Sequence, residues 1–409
     1  MTERRSTQNS QKPQNKIGSA RSADSALYVV VPGDLETRTG GYGYDRRIIA
    51  GLRGRGWVVE VVRLDEGFPA PSPSARAHAA DAFAAIPDGS LVLADGLALG
   101  ALPDEAERAR DRLRIIALVH HPLTDETGID AALAAALEIS ERRALAAAHA
   151  VVVTSRLTAG RIADFGVAAD RIFIVEPGTD RAPIARGSAN SSQRSALSGT
   201  PSAAGHEPSA IGHQPSEVVL LCVATLTPRK GYEILIDALA AIPYRHWRLT
   251  CAGSVDRDPS TVARVRARLR DSSLEDQVRL AGDLDAAALA AEYDRADLFV
   301  LPTLYEGYGM AVAEALARGL PVVSTATGAI EDLVLRTAGV TLAADPGAGI
   351  VVPPGDLPAF TAALARAIGD PVLRASLAAN ARCVRDRLTT WEVAAAAMER
   401  ALEHAAGIR

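Results

Sequence analysis

The segment Leu301-Pro-Thr-Leu-Tyr-Glu306-Gly-Tyr-Gly-Met-Ala-Val-Ala-Glu314-Ala-Leu-Ala-Arg-Gly-Leu-Pro-Val-Val323 reads in order as strand end, acidic glycine loop, helix and strand. The apolar run Leu298–Leu301 is the strand, Glu306 falls in the loop behind it, and Glu314 lies in the helix that follows. Gly307 and Gly309 carry no Cβ and let backbone come close to a ligand. The first turn of the helix offers unpaired N–H groups, which suit a phosphate. A carboxylate beside a phosphate is repelled, so Glu306 fits neutral hydroxyls better. Hydroxyls next to phosphate point to a sugar nucleotide as ligand.

Outward from this segment the chain alternates strands and helices. The strands expected before the midpoint are Ala26–Val31, Trp57–Val62, Leu91–Ala94, Arg114–Val119, Val151–Thr154 and Ile172–Val175, with helices over Tyr44–Arg53 and Ile129–Ala148. Beyond the midpoint come strands Val218–Val223, Trp247–Ala252, Val278–Ala281, Asp297–Leu301, Pro321–Ser324 and Gly349–Val352, and helices Gly231–Ala241, Pro259–Arg270, Ala286–Asp294 and Trp391–Ala406. Such alternation implies parallel sheets covered on both faces, with ligands at the carboxyl ends of the strands. Residues 186–217 are rich in Ser, Gly, Pro and Ala without a period and read as a flexible linker or insertion. The chain is therefore expected to divide into a disordered tail (1–24), a first domain (25–185), that linker, a second domain (218–388) and a C-terminal helical piece (389–409).

At 409 residues the length suits two full cores. A net charge of −5 gives no support to nucleic-acid binding. Cys222, Cys251 and Cys383 are too scattered for a metal set or disulfide framework and read as free thiols. No apolar run is of membrane-spanning length, and the polar N-terminus lacks a signal-peptide core, so a cytoplasmic protein is expected. Arg38, Arg46, Arg47, Arg53 and Arg55 cluster in the first half. They read either as a solvated helix face or as a surface for anionic lipid or an acidic acceptor, which leaves peripheral membrane contact open.

The second anion signal is Thr225-Leu-Thr-Pro228-Arg229-Lys230-Gly231-Tyr232, an Arg-Lys pair at a strand-to-helix turn. It supplies a fork for oxygens and a point charge. Asp256/Asp258 and Asp283/Asp285 form Asp-x-Asp pairs, which bind Mg²⁺ or Mn²⁺ in other settings, but each stands before a helix and reads as a cap. In the first half, Thr39-Gly40-Gly41-Tyr42-Gly43-Tyr44-Asp45 matches a dinucleotide fingerprint only in part, because Arg46 takes the third glycine's place. That disfavours a nicotinamide-dependent dehydrogenase, and a plain tight turn remains an alternative. His120-His121-Pro122 and Asp95-Gly96 each end a strand.

The glutamate segment, continued through Gly328-Ala-Ile-Glu331, resembles the glutamate-pair motif of retaining glycosyltransferases of family 4, which have the GT-B fold. The resemblance covers the layout of residues 26–405 and is strongest in the second half. It implies two doubly wound Rossmann-like domains facing across a cleft, with the last helix packed back on the first domain. It assigns Glu306 to hydroxyls of the donor sugar and Glu314 to the ribose of its nucleotide. Arg229 and Lys230 would hold the diphosphate, and Thr225 stands where many members carry a further Arg. Gly307, Tyr308, Gly309 and Met310 would contact sugar or phosphate through their backbone. Gly40 and Gly41 match the family's N-terminal glycine loop, which borders the cleft, and Tyr42 lies in the same stretch. Glu331 matches a family acid of uncertain role, with capping as the alternative. His120, or else His121, would reach the donor sugar, against a capping or core histidine as the alternative. The catalytic set so implied is Glu306, His120, Arg229 and Lys230, and Asp95, His121 and Tyr42 are candidates for the acceptor side. The expected reaction is retaining transfer from a nucleotide-diphosphate sugar, used as co-substrate without cofactor or metal, to a glycan, lipid or small-molecule hydroxyl. A sugar-nucleotide epimerase on the same fold and a non-catalytic sugar-nucleotide-binding subunit are the alternatives.

Overall fold

A computed structural model describes residues 26–126, 129–188, 217–335 and 347–407. The tail expected as disordered and nearly all of the 186–217 linker lie outside these residues.

The first domain runs β1 (Leu27–Pro32), α1 (Gly40–Gly54), β2 (Val59–Leu64), α2 (Pro73–Ala85), β3 (Leu91–Asp95), α3 (Gly96–Leu99), α4 (Pro103–Ala109), β4 (Arg114–Val119), α5 (Ala131–Ala147), β5 (Ala150–Val153), α6 (Arg156–Asp164) and β6 (Ile172–Ile174). The second runs β7 (Val218–Val223), α7 (Tyr232–Ala241), β8 (Trp247–Ala252), α8 (Pro259–Asp271), β9 (Val278–Gly282), α9 (Ala286–Arg295), β10 (Leu298–Leu301), α10 (Met310–Ala317), β11 (Val322–Thr325), α11 (Ile330–Leu335), β12 (Gly349–Val352), α12 (Leu357–Gly369) and α13 (Pro371–Arg385). A last helix, α14, spans Trp391–Ala406.

The central strands are largely apolar because helices cover both faces of each sheet, as in Leu298-Phe-Val-Leu301, where every residue is buried, whereas the edge strand β2 exposes Glu60 and Arg63 to solvent. The first sheet is ordered β2-β1-β3-β4-β5-β6 and the second β12-β11-β10-β7-β8-β9. Strand order reverses between β1 and β3 in one and between β7 and β10 in the other. These switch points open crevices at the carboxyl ends of the strands. Helix starts follow side-chain caps: Asp258 and Asp285 accept from Thr261 N and Ala288 N, so the second member of each Asp-x-Asp pair caps α8 or α9.

Some elements differ from expectation. Helix α1 begins at Gly40, four residues before the expected Tyr44, because Thr39 is its N-cap and accepts from Tyr42 N. The glycine loop is therefore the first turn of that helix. The sequence reading also lacked α2, α4 and α6, short or alanine-rich helices with weak periodicity.

The chain crosses between domains twice. Ala185, Arg186 and Gly187 already hydrogen-bond second-domain carbonyls, those of Arg318 and Asp294. On the return, Thr179 N donates to Thr389 O at 2.7 Å. Helix α14 then completes the first core: Ala394, Met398, Ala401 and Leu402 pack with Leu27, Val29, Ile48 and Leu52.

The arginine cluster is not an open patch. Arg46 donates to Leu35 O and Thr37 O, Arg47 pairs with Asp180 and lies over the Trp391 ring, and Arg53 donates to Val59 O. Arg55 pairs with Glu399, and Arg38 reaches Leu284 O of the second domain at 2.8 Å. Each thus makes a contact within the fold, and these contacts account for the cluster without a lipid-facing surface. Among the described residues no helix is long and apolar enough to cross a membrane. Cys222 and Cys251 are buried, free and opposite one another on β7 and β8, and Cys383 is exposed.

Candidate functional site

Each switch point carries a group of charged side chains, and the two groups meet across the cleft. On the second domain, Pro228–Lys230 form one 3₁₀ turn after β7 and Glu306 follows β10. These strands are neighbours, so residues 76 apart in sequence come within hydrogen-bond distance: Lys230 Nζ lies 2.5 Å from Glu306 Oε1. Both side chains are mostly buried, 16% and 12% exposed. Gly231 fixes the approach of the two loops. Its φ is +70°, and a Cβ there would sit 2.0 Å from Pro302 O. Leu304 N and Thr303 Oγ1 donate to Arg229 O, pinning the Arg-Lys turn to the acidic loop. Arg229 Nη1 donates to Tyr305 O at 3.3 Å, and its Nε is buried without a hydrogen-bond partner.

The electrostatics favour charge on Glu306. Burial opposes ionisation, but Lys230 and Arg229 outweigh it and hold the carboxyl below its ordinary range. Burial pulls the Lys230 ammonium down and Arg229 adds to this, while Glu306 restores part. Two cations face one carboxylate, so this side has one positive charge in excess and can take an anion.

Glu314 stands apart from that pair, on α10. Its Oε2 accepts from Tyr293 OH at 3.1 Å, and burial raises its pKa. Arg318 lies over the Tyr293 ring. Tyr293 was missed by the sequence reading. Its signal is a lone tyrosine among the alanines of α9, and its partner is 21 residues away.

Gly307 marks the contact between the domains. A Cβ there would stand 2.0 Å from His120 O, so the acidic loop touches the end of β4 backbone to backbone. Gly309 caps α10, and Met310 packs toward Gly40 across the cleft. Tyr308 is buried with Ala313 and Ala329, which leaves only its backbone for a ligand. Thr225 lies in the loop after β7, where its carbonyl accepts from Thr227 N. Glu331 is exposed in the first turn of α11, a place where an acid complements the helix dipole.

On the first domain, Gly41 lies directly under His120, since a Cβ there would stand 3.3 Å from the ring's Cδ2. His120 Nε2 is 3.1 Å from Asp45 Oδ1. His121 pairs instead with Glu126 at 3.0 Å and faces the Tyr305 ring across the cleft, 6.1 Å between centroids. The neighbouring turn is held by buried Glu141, which accepts from Leu123 N. Tyr42 OH donates to Pro32 O at 2.5 Å.

Asp95 departs from expectation. It is only 4% exposed and caps α3 by accepting from Leu97 N. It lies behind His120 rather than facing an acceptor, because β3 ends one residue before a helix that needs a cap. Asp45 was not singled out by the sequence reading. A signal existed: Asp45, Ile48, Ile49 and Leu52 form the buried stripe of α1, so a carboxylate sits on an apolar helix face. Oxygens of Asp45 and Asp95 and a ring nitrogen of His120 lie within 4.8 Å of one another, the one such group among the described residues close enough for a metal ion. Two carboxyls at that spacing are equally met by one shared proton, and Asp95 is raised to about 7 by burial and then by Asp45.

Residues 217–370 match the family model for Glycosyl transferases group 1. A D-inositol 3-phosphate glycosyltransferase of Xylanimonas cellulosilytica is 29% identical over 265 residues, covering 64% of this chain and 58% of that protein. The chain thus spans a little over half the length of this curated relative. Among solved structures, the sucrose-phosphate synthase of Thermosynechococcus elongatus superposes with a TM-score of 0.71 at 21% identity, covering 92% of this chain and 98% of that one. Anabaena HepE in complex with UDP and glucose gives 0.67 at 18% identity, covering 93% and 99%. The chain has the GT-B fold, two parallel six-stranded sheets with surrounding helices, and a glycosyl transferases group 1 match across most of its second domain.

Proposed function

We propose that this protein is a retaining glycosyltransferase of family 4 that moves a sugar from a nucleoside diphosphate sugar to an acceptor hydroxyl. The observation that carries the reading is the Arg229, Lys230 and Glu306 group at the β7/β10 switch point. It places an excess cation beside a carboxylate held in its charged form. The cations suit the diphosphate, and Glu306 suits sugar hydroxyls. Glu314, set back on α10, suits the ribose. During transfer the bond from the anomeric carbon to the diphosphate breaks, and the acceptor oxygen bonds that carbon from the same face. The acceptor proton passes to the departing phosphate oxygen. Arg229 and Lys230 stabilise the charge that grows on the leaving group, so the reaction as proposed requires no metal. Support also comes from the relative named as a D-inositol 3-phosphate glycosyltransferase, and from HepE, solved with UDP and glucose.

The test is a thermal-shift screen with UDP, GDP and ADP and their sugars. A ligand at about 100 times its Kd stabilises the native state by about 2.7 kcal/mol, several degrees in Tm. At least one nucleotide is expected to do so, and Lys230→Met to abolish the shift. Turnover is expected only with acceptor present. A rearranged sugar nucleotide formed from donor alone would sink the transferase reading.

A further inference from the structure

Under His120 lies a buried acid pair that the proposed reaction does not yet use. Asp45 and Asp95 are 2% and 4% exposed. Asp45 engages His120 Nε2 through Oδ1, and its Oδ2 is buried without a hydrogen-bond partner. Asp95 is tied by Leu97 N at 2.7 Å. Two carboxyls this close, out of water, do not both ionise. A proton between them supplies the partner that Asp45 Oδ2 otherwise lacks.

His120 feels the pair from below. Burial pulls its pKa down, but the charge and hydrogen bond of Asp45, helped by Asp95, lift it to about 8. The other titratable groups around it come from α1. Tyr44 meets the imidazole edge-on at 5.3 Å, and burial raises both tyrosines, Tyr42 to about 12. Just beyond β5 the Thr154 hydroxyl donates to His120 O. From the second domain, the Gly307 backbone lies against His120 O. Among the described residues no hydrogen bond engages His120 Nδ1.

We propose that Asp45 is a positioning residue for His120: sharing one proton with Asp95, it holds the ring through Nε2 as an imidazolium and leaves Nδ1–H to donate to the bound sugar nucleotide. The proposal rests on the transferase reading for its ligand, but the pair itself does not. A charged donor makes roughly twice as strong a hydrogen bond as a neutral one, and the partner at one ring nitrogen fixes the role of the other. The cluster of Asp45, Asp95, one shared proton and imidazolium is neutral overall, which makes it tolerable in a dry setting.

The test is the titration of His120 in the full chain, read by long-range ¹H–¹⁵N spectra and identified by its loss in His120→Gln. Wild type is expected to titrate near 8, as the geometry implies. In Asp45→Asn the midpoint should fall well below that of the wild type, because the charge and hydrogen bond that chiefly offset burial are gone and only Asp95 remains. In Asp95→Asn it should stay raised, because the amide stands in for the protonated carboxyl. Equal lowering in both variants, or a wild-type midpoint at or below the ordinary value, overturns the proposal. If Asp45→Asn does not fold, the wild-type and Asp95→Asn midpoints decide alone. Zn²⁺ or Mn²⁺ that displaces the His120 signals, reversed by EDTA, would make the cluster a cation site and also overturn it. A nucleoside diphosphate that raises Tm yet leaves Nδ1 unmoved removes the donating role and overturns the proposal. Absence of nucleotide binding refutes the transferase reading instead, while a titration lifted by Asp45 still upholds the pair. In turnover, Asp45→Asn should lower kcat about tenfold or more with little change in donor KM, and draw the alkaline limb of the pH profile to lower pH.

Discussion

The cleft sets two buried acid–base groups against each other, and they differ in which partner is in excess. On the second domain, Lys230 and Arg229 outnumber Glu306. On the first, Asp45 and Asp95 outnumber His120. An excess cation that stays charged, as the Arg229 guanidinium does, is balanced by an anion from outside, which makes that side an anion site waiting for a ligand. An excess carboxyl can be neutralised by a proton, which makes the other side complete without one. The strand orders follow the same division: the reversal between β7 and β10 gathers the cations, and that between β1 and β3 gathers the acids.

The comparison can be broken most sharply on the cationic side. Lys230→Met strands Glu306 beside a single arginine. Losing one member of a buried pair costs about 3–5 kcal/mol, so a markedly lower Tm is expected together with a loss of donor turnover of about a hundredfold or more. Kinetics on the sugar nucleotide found in the thermal screen, alongside Tm, check both. Unchanged turnover would mean that the excess cation serves the fold alone.

The next effect tests whether the two sides must touch. Gly307→Ala puts a methyl 2.0 Å from His120 O, so the acidic loop has to retreat. Displacement of about 1 Å in a reacting geometry can cost about a hundredfold, and a loss of about tenfold or more in kcat is expected with circular dichroism unchanged. Wild-type kcat in this variant would show that the two groups act independently.

A smaller effect sharpens the roles within the second domain. Tyr293→Phe removes the hydrogen bond to Glu314 and should cost about 1 kcal/mol, roughly a fivefold rise in Kd for the nucleoside diphosphate by calorimetry. A larger effect on kcat than on binding would contradict a role for Glu314 at the ribose.

The sequence made the second domain more legible than the first. The strands that carry its site, β7 and β10, are unbroken apolar runs, and Arg229, Lys230, Glu306 and Glu314 lie in two short motifs that each declare a strand-to-helix turn. What brings Lys230 onto Glu306 is the adjacency of β7 and β10, which the strand order of the structure shows. The first domain's chemistry depends on partners far apart and locally plain. Asp45 and His120 are 75 residues apart, and Asp45 shows only as a charge on the apolar stripe of α1. Asp95 looked like a residue open to the cleft because a strand end usually is. The cap required by α3 turns it inward instead.

The return of α14 has a mechanical consequence. The two chain crossings run side by side: Thr179 is hydrogen-bonded to Thr389, and at Gly178 there is no room for a side chain, since a Cβ would stand 2.2 Å from Trp391 N. A body joined by one strand can swivel in any direction. One joined by two strands fastened together behaves like a door on a pair of adjacent pins, with one easy axis. Any opening of the cleft would then swing Gly307 away from His120 along one arc, and closing would return the same two backbones to the same register.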